Sequence, residues 1–180
     1  ILRKESSCQS TLKYLILQAC SVTKPHHCYL TTPTDPLKVT MTTVKIKLLV
    51  QRYPLTASHA SGKHKQDLCP ICHKAPETLH HFLFKCDPIG QMRDQYISHI
   101  QSILAERKLI VPPLAQCSLD WYTQLVLDPS MLTKDSEAVL KIEGVSRQMV
   151  YNLHHRRAIA LGGGSKYIRG RYMGSVLKMS

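Results

Sequence analysis

The chain has 180 residues, 43% hydrophobic and 20% charged, which is ordinary globular usage and excludes both a disordered polar chain and a collagen-like one. Lys and Arg number 24 against 12 Asp and Glu, a formal charge of +12, and with aromatic residues at 6% any core has to be aliphatic. No run of eighteen apolar residues occurs and the first thirty lack a secretory leader's apolar core and cleavage site, so the chain reads as soluble and intracellular, nuclear or cytoplasmic, without a membrane partner.

Charge is unevenly placed. Residues 1–68 carry a net +7, residues 69–140 a net −2 and residues 141–180 a net +7. Two basic arms around a near-neutral middle are the electrostatic footprint of contact with RNA or DNA. The chain begins Ile1-Leu2 rather than with Met, which leads us to expect a fragment of a longer protein.

Taken in order, residues 3 to 19 place Leu12, Leu15, Ile16 and Ala19 at helical spacing, and Lys24-Pro25 ends that helix. The prolines and threonines from Thr31 to Pro36 read as a linker, closing an N-terminal segment of residues 1–36. Between Leu37 and Arg52, strand-like alternation competes with a helical stripe at Met41, Val44, Leu48 and Leu49, and helix is favoured. Residues 56–67 read as an exposed loop. Asp87-Pro88 predicts an Asp-capped helix running to about Lys108, with Ile89, Met92, Tyr96, Ile100, Ile103 and Leu104 on its apolar side.

After Pro112-Pro113 a short helix is predicted from Ser118 to just before Asp128-Pro129. The longest periodic segment runs from Lys134 to Leu161, with Val139, Ile142, Val145, Met149 and Leu153 at intervals of three or four. Its acids lie early and its bases late, complementing the helix dipole. Gly162-Gly163-Gly164 ends it, and the basic tail of residues 162–180 is expected to be mobile unless bound. The expected organisation is thus mainly α: a small helical domain over 37–110 around a zinc knuckle at 69–86, a helical segment over 111–161, and the tail.

The knuckle carries the chemistry. Cys69, Cys72, His81 and Cys86 form C-x2-C-x8-H-x4-C, four ligands of the right type in an 18-residue window. The first pair can turn both sulfurs toward one metal. The second pair is expected at the end of a short helix that Pro76 opens, with Leu79, Phe82 and Leu83 on its apolar side. Four protein ligands fill a tetrahedron and leave no position for water, which points to structural Zn2+ and to no catalysis by this chain. His81 is favoured over His80 as the ligand. Lys65, Lys74 and Lys85 stand near enough in sequence to offset the centre's negative charge. Candidate phosphate contacts are Arg52, Lys63, Lys65, Lys74, Lys85, Arg156 and Arg157. Cys20, His26, His27 and Cys28 have a spacing that matches no finger and read as a buried Cys with a polar turn.

The segments KIKLLVQRYPL and LCPICHKAPETLHHFLFKC, followed by an Asp-Pro helix with Met92-Arg93, resemble the zinc-binding region that follows the reverse transcriptase domain in animal non-LTR retrotransposon polyproteins. Leu48, Leu49, Arg52 and Tyr53 match its leading helix, and Cys69, Cys72, Glu77, Thr78, His81, Phe82 and Cys86 its knuckle, over about residues 45–93. The resemblance implies a grip on template RNA or target DNA during target-primed reverse transcription, beside the polymerase domain of the same polyprotein. No Asp-Asp pair or F/Y-x-D-D hairpin is present to hold polymerase metals.

Two other readings are weighed. One is a zinc-stapled structural or protein-interaction module, in which the apolar stripe from Val139 to Leu153 docks on a partner. The other is a zinc hydrolase or deaminase, opposed by motif order, by a ligand set that leaves no site for water, and by Leu68 where the deaminase motif needs proline. No small-molecule substrate is expected.

Overall fold

The computed structural model describes Tyr14 and residues 35–59, 68–109 and 117–162. The expected N-terminal helix, the cysteines at 8, 20 and 28, Lys63, Lys65 and the tail beyond Gly162 lie outside the described residues. Within them the chain is mainly helical and forms no strand. Four α-helices frame the knuckle: α1 Pro36–Leu49, α2 Gly90–Glu106, α3 Leu119–Leu127 and α4 Ser136–Ala160.

Three of the four starts have a side-chain cap. The Asp35 carboxylate accepts the Leu37 N–H at 2.9 Å while Pro36 fills the first turn, so the Asp-Pro pair assigned to the linker is in fact the cap of α1. The ambiguity over this segment resolves as helix, because Met41, Val44, Leu48 and Leu49 share a buried stripe. Asp87-Pro88 behaves otherwise. It forms a single 3-10 turn over Asp87–Ile89, and α2 begins at Gly90 without a side-chain cap. Ser118 caps α3 by accepting the Trp121 N–H at 3.2 Å, and Asp135 caps α4 by accepting the N–H groups of Glu137 and Ala138 at 3.0 and 3.1 Å. Gly162, at φ +79°, turns the chain out of α4, as its sequence position predicts.

The 25-residue α4 is about 37 Å long and packs against both α2 and α1. It runs parallel to α1: Lys45 meets Glu143 and Ser146, both at 2.6 Å, while Tyr53, just past α1, meets His154 at 2.7 Å. One core joins Leu48 and Leu49, Phe82 and Leu83 of the knuckle, Ile100, Tyr122, Leu125, Ile142, Met149 and Leu153. It crosses residue 110, where the sequence suggested a division. The stripe of α4 offered to a partner is buried in this core, with Ile142, Met149 and Leu153 fully enclosed.

Candidate metal centre

Backbone hydrogen bonds shape the knuckle. Leu68 and Pro76 pair in an isolated antiparallel bridge, the Cys69 N–H donates to the Ala75 carbonyl at 2.8 Å, and the His73 N–H donates to the Cys69 carbonyl at 2.8 Å. His73 takes a left-handed φ of 54°, which reverses the chain within one turn. This tight turn carries Cys69 and Cys72. Pro76, expected to open the second element, is instead the bridge partner of Leu68.

The second ligand pair depends on an unusual turn. Thr78 accepts the His81 N–H on its hydroxyl at 3.1 Å, and residues His81–Lys85 then wind as a π-helix, closed by the Cys86 N–H donating to the His81 carbonyl at 3.0 Å. Residues five apart in an α-helix point about 140° away from one another. The wider π-turn brings them back toward one side, so the H-x4-C spacing and the backbone geometry explain each other.

The four ligand atoms lie within 4.8 Å of one another. Cys69 Sγ and Cys86 Sγ are 3.8 Å apart, and Cys72 Sγ is 3.4 Å from His81 Nε2. Metal–sulfur bonds of about 2.3 Å and metal–nitrogen bonds of about 2.0 Å in a tetrahedron require ligand separations of about 3.5–3.8 Å. The residues are therefore positioned to bind a metal ion through three sulfurs and one imidazole nitrogen. His81 is the histidine of the set. His80 faces away, with Nε2 at 3.2 Å from Asp120 Oδ1 and 3.5 Å from the Tyr14 hydroxyl.

Electrostatics agree with a cation in this place. Cys69, Cys86 and His81 are buried, while Cys72 is partly exposed. Burial pushes the Cys69 thiol up, against N–H groups of Cys72 and Ile71 that favour its thiolate. Burial also pushes Cys86 up, and the neighbouring Cys69 adds to this. Cys72 moves down: burial opposes its ionisation, but the N–H groups of Lys74 and Ala75 and the adjoining thiols outweigh it. Burial holds His81 below its usual value, which keeps the imidazole neutral and able to ligate. Buried sulfurs crowded together resist becoming thiolates until a positive ion compensates them. Arg93, itself buried, supplies a nearby charge and donates from Nη1 to the Cys86 carbonyl at 3.3 Å.

A second buried cluster fastens this centre to α4. Arg157 meets Glu77 with two parallel bonds, Nε to Oε1 at 2.7 Å and Nη2 to Oε2 at 2.8 Å, and donates to the Pro54 carbonyl at 2.6 Å. Glu77 also accepts the Thr56 N–H at 2.9 Å. Arg157 lies over the Tyr53 ring at 5.5 Å, and that ring stacks on Phe82 at 5.5 Å. This corrects one expectation: Arg157 is not a surface contact for phosphate but is committed inside the fold.

Arg52, Lys74, Lys85 and Arg156 are exposed, as candidate contacts need to be. The buried roles of Arg93, Glu77 and Arg157 were not read from the sequence. An Arg and a Glu 80 positions apart give no local signal of pairing. Among the described residues no helix is long and apolar enough to cross a membrane. Comparison with family models, with curated proteins and with solved structures gives no match to this chain.

Proposed function

We propose that this chain is a non-catalytic, zinc-stabilised module that contacts nucleic acid, a C-terminal segment of a non-LTR retrotransposon reverse transcriptase that assists template binding in target-primed reverse transcription. The observation that carries the zinc part is the set of three sulfurs and one imidazole nitrogen within 4.8 Å. Thiolate-rich tetrahedral sites select Zn2+ among the common divalent ions, and a filled tetrahedron holds structure without activating water. Bound zinc would contribute about 10–16 kcal/mol of apparent free energy at neutral pH, enough to order a loop of this size.

The nucleic-acid part is supported by the formal charge of +12 and by the exposure of Arg52, Lys74, Lys85 and Arg156. The retroelement part is supported by the KIKLLVQRYPL and CPIC…HHFLFKC segments. Residues shared with that resemblance, Tyr53, Glu77 and Phe82, meet in the buried cluster beside the knuckle, which gives them a common structural purpose. The protein's place would then be the nucleus or cytoplasm, next to the polymerase domain of its own polyprotein.

Two measurements test this. Elemental analysis of purified protein is expected to give one zinc per chain, kept by His80→Ala and lost by His81→Ala; no stoichiometric zinc in the wild type overturns the metal reading. Binding to RNA and duplex DNA is expected to weaken steeply with salt, because each phosphate neutralised by Lys or Arg releases a counterion. Affinity that is absent, or indifferent to salt, overturns the nucleic-acid reading.

A further inference from the structure

The parallel packing of α1 and α4 sets their C-terminal ends side by side. Tyr53 bonds His154 at 2.7 Å there, and Arg157 reaches the Pro54 carbonyl at 2.6 Å. Lys47, Arg52 and Arg156 are exposed at this end, and the Arg52 N–H donates to the Lys47 carbonyl at 2.7 Å. The His154 ring is held below its usual value first by burial and then by the positive field of Arg157, His155 and Lys47, so the bases of both helices act on one place.

The two basic helices bring no exposed acid to this end, while α2, which runs antiparallel to α4, starts toward it with exposed Asp87 and Asp94. Residues 36–59 contain no acid, and none occurs after Glu143. Glu77, which reaches this end, is buried and bound to Arg157. The exposed acids of the two helices, Asp35 at the head of α1 and Glu137 at the head of α4, stand at the opposite end.

We infer that the end of the α1–α4 pair presenting Lys47, Arg52 and Arg156 is the surface that docks on the phosphate backbone of nucleic acid, recognising charge and not base sequence. This rests on the nucleic-acid reading above and adds the face. Bases at helix C-termini also complement the helix dipole. That role alone would leave nucleic-acid affinity untouched when they are removed, and the experiment separates the two.

The zinc-loaded full chain is titrated with a labelled single-stranded RNA and with a duplex DNA of equal length, across roughly 50 to 200 mM salt. Lys47→Ala/Arg52→Ala/Arg156→Ala is compared with Lys38→Ala/Lys134→Ala, exposed lysines at the heads of α1 and α4. Loss of three phosphate contacts should make the slope of log affinity against log salt shallower by about 2.7 on the duplex and about 2.1 on the single strand. The control should keep the wild-type slope. If the triple variant cannot be purified folded, each single variant should lower the duplex slope by about 0.9. Wild-type binding with the triple variant matching the control overturns this face and leaves the broader reading standing. A wild type that binds neither polymer overturns both.

Discussion

Glu77 and Arg157 show what a single pair of side chains can hold. Both are buried, at 0% and 7% exposure, and each is the other's main compensation: burial works against the Arg157 charge, and Glu77 outweighs it. Removing one partner strands the other, so Glu77→Gln and Arg157→Met should each cost about 3–5 kcal/mol in denaturant unfolding. The double variant should cost less than the two losses added together, because neither charge is then left alone; strict additivity would mean that the pair is not coupled. Beside it, burial pushes the Tyr53 hydroxyl up to about 12, and that hydroxyl shares a 2.7 Å hydrogen bond with Nδ1 of His154. His154 is itself held low, by burial first and then by Arg157. Above about pH 6.5 the ring is neutral in both folded and unfolded chains. As pH falls below that value, the unfolded chain takes up the proton first and stability declines toward the folded state's lower value. His154→Gln should remove this part of the acid slope, leaving unfolding free energy less dependent on pH below about 6.5 than in the wild type; equal slopes would remove His154 from the account.

At the scale of elements, the π-turn at His81–Lys85 decides whether the centre exists. Its wide winding is what lets ligands five positions apart face one ion. One alanine inserted between Phe84 and Lys85 should swing Cys86 away and abolish stoichiometric metal, read by elemental analysis; a metal content of one would show that the turn does not set the geometry. The ligand set itself was legible in the sequence, since C-x2-C-x8-H-x4-C is a matter of residue type and short spacing. So were α3 and α4, whose Ser118 and Asp135 caps and apolar periods agree with each other. The three Asp-Pro pairs teach the limit of local signals. Asp35-Pro36 caps α1, whereas Asp87-Pro88 and Asp128-Pro129 each go with only a 3-10 turn, so the dipeptide alone does not decide the outcome. Pro76 likewise suits a first helical turn but is claimed by a bridge to Leu68. The Lys45–Glu143 and Glu77–Arg157 pairs were illegible for a different reason: they join positions 98 and 80 residues apart, and only the packed helices bring them together.

For the whole molecule, the metal centre is not an appendage. Phe82, Leu83 and Phe84 of the π-turn belong to the core that holds Tyr122, Ile142 and Met149, and the knuckle is tied through Glu77 to the last turns of α4. Chelation should therefore raise backbone hydrogen exchange in α1 and in the C-terminal half of α4 together with residues 69–86, as one cooperative unit. Exchange confined to the knuckle would make it an independent fold.

Lys45 gives that cooperativity a chemical handle. Its ammonium is sealed at 0% exposure against Glu143 and Ser146, while Lys47, two positions on, stands in solvent. An acylating reagent will mark Lys47 on the native protein and spare its neighbour for as long as α1 stays seated on α4. The ratio of the two tags in a single peptide then clocks how often the helices part.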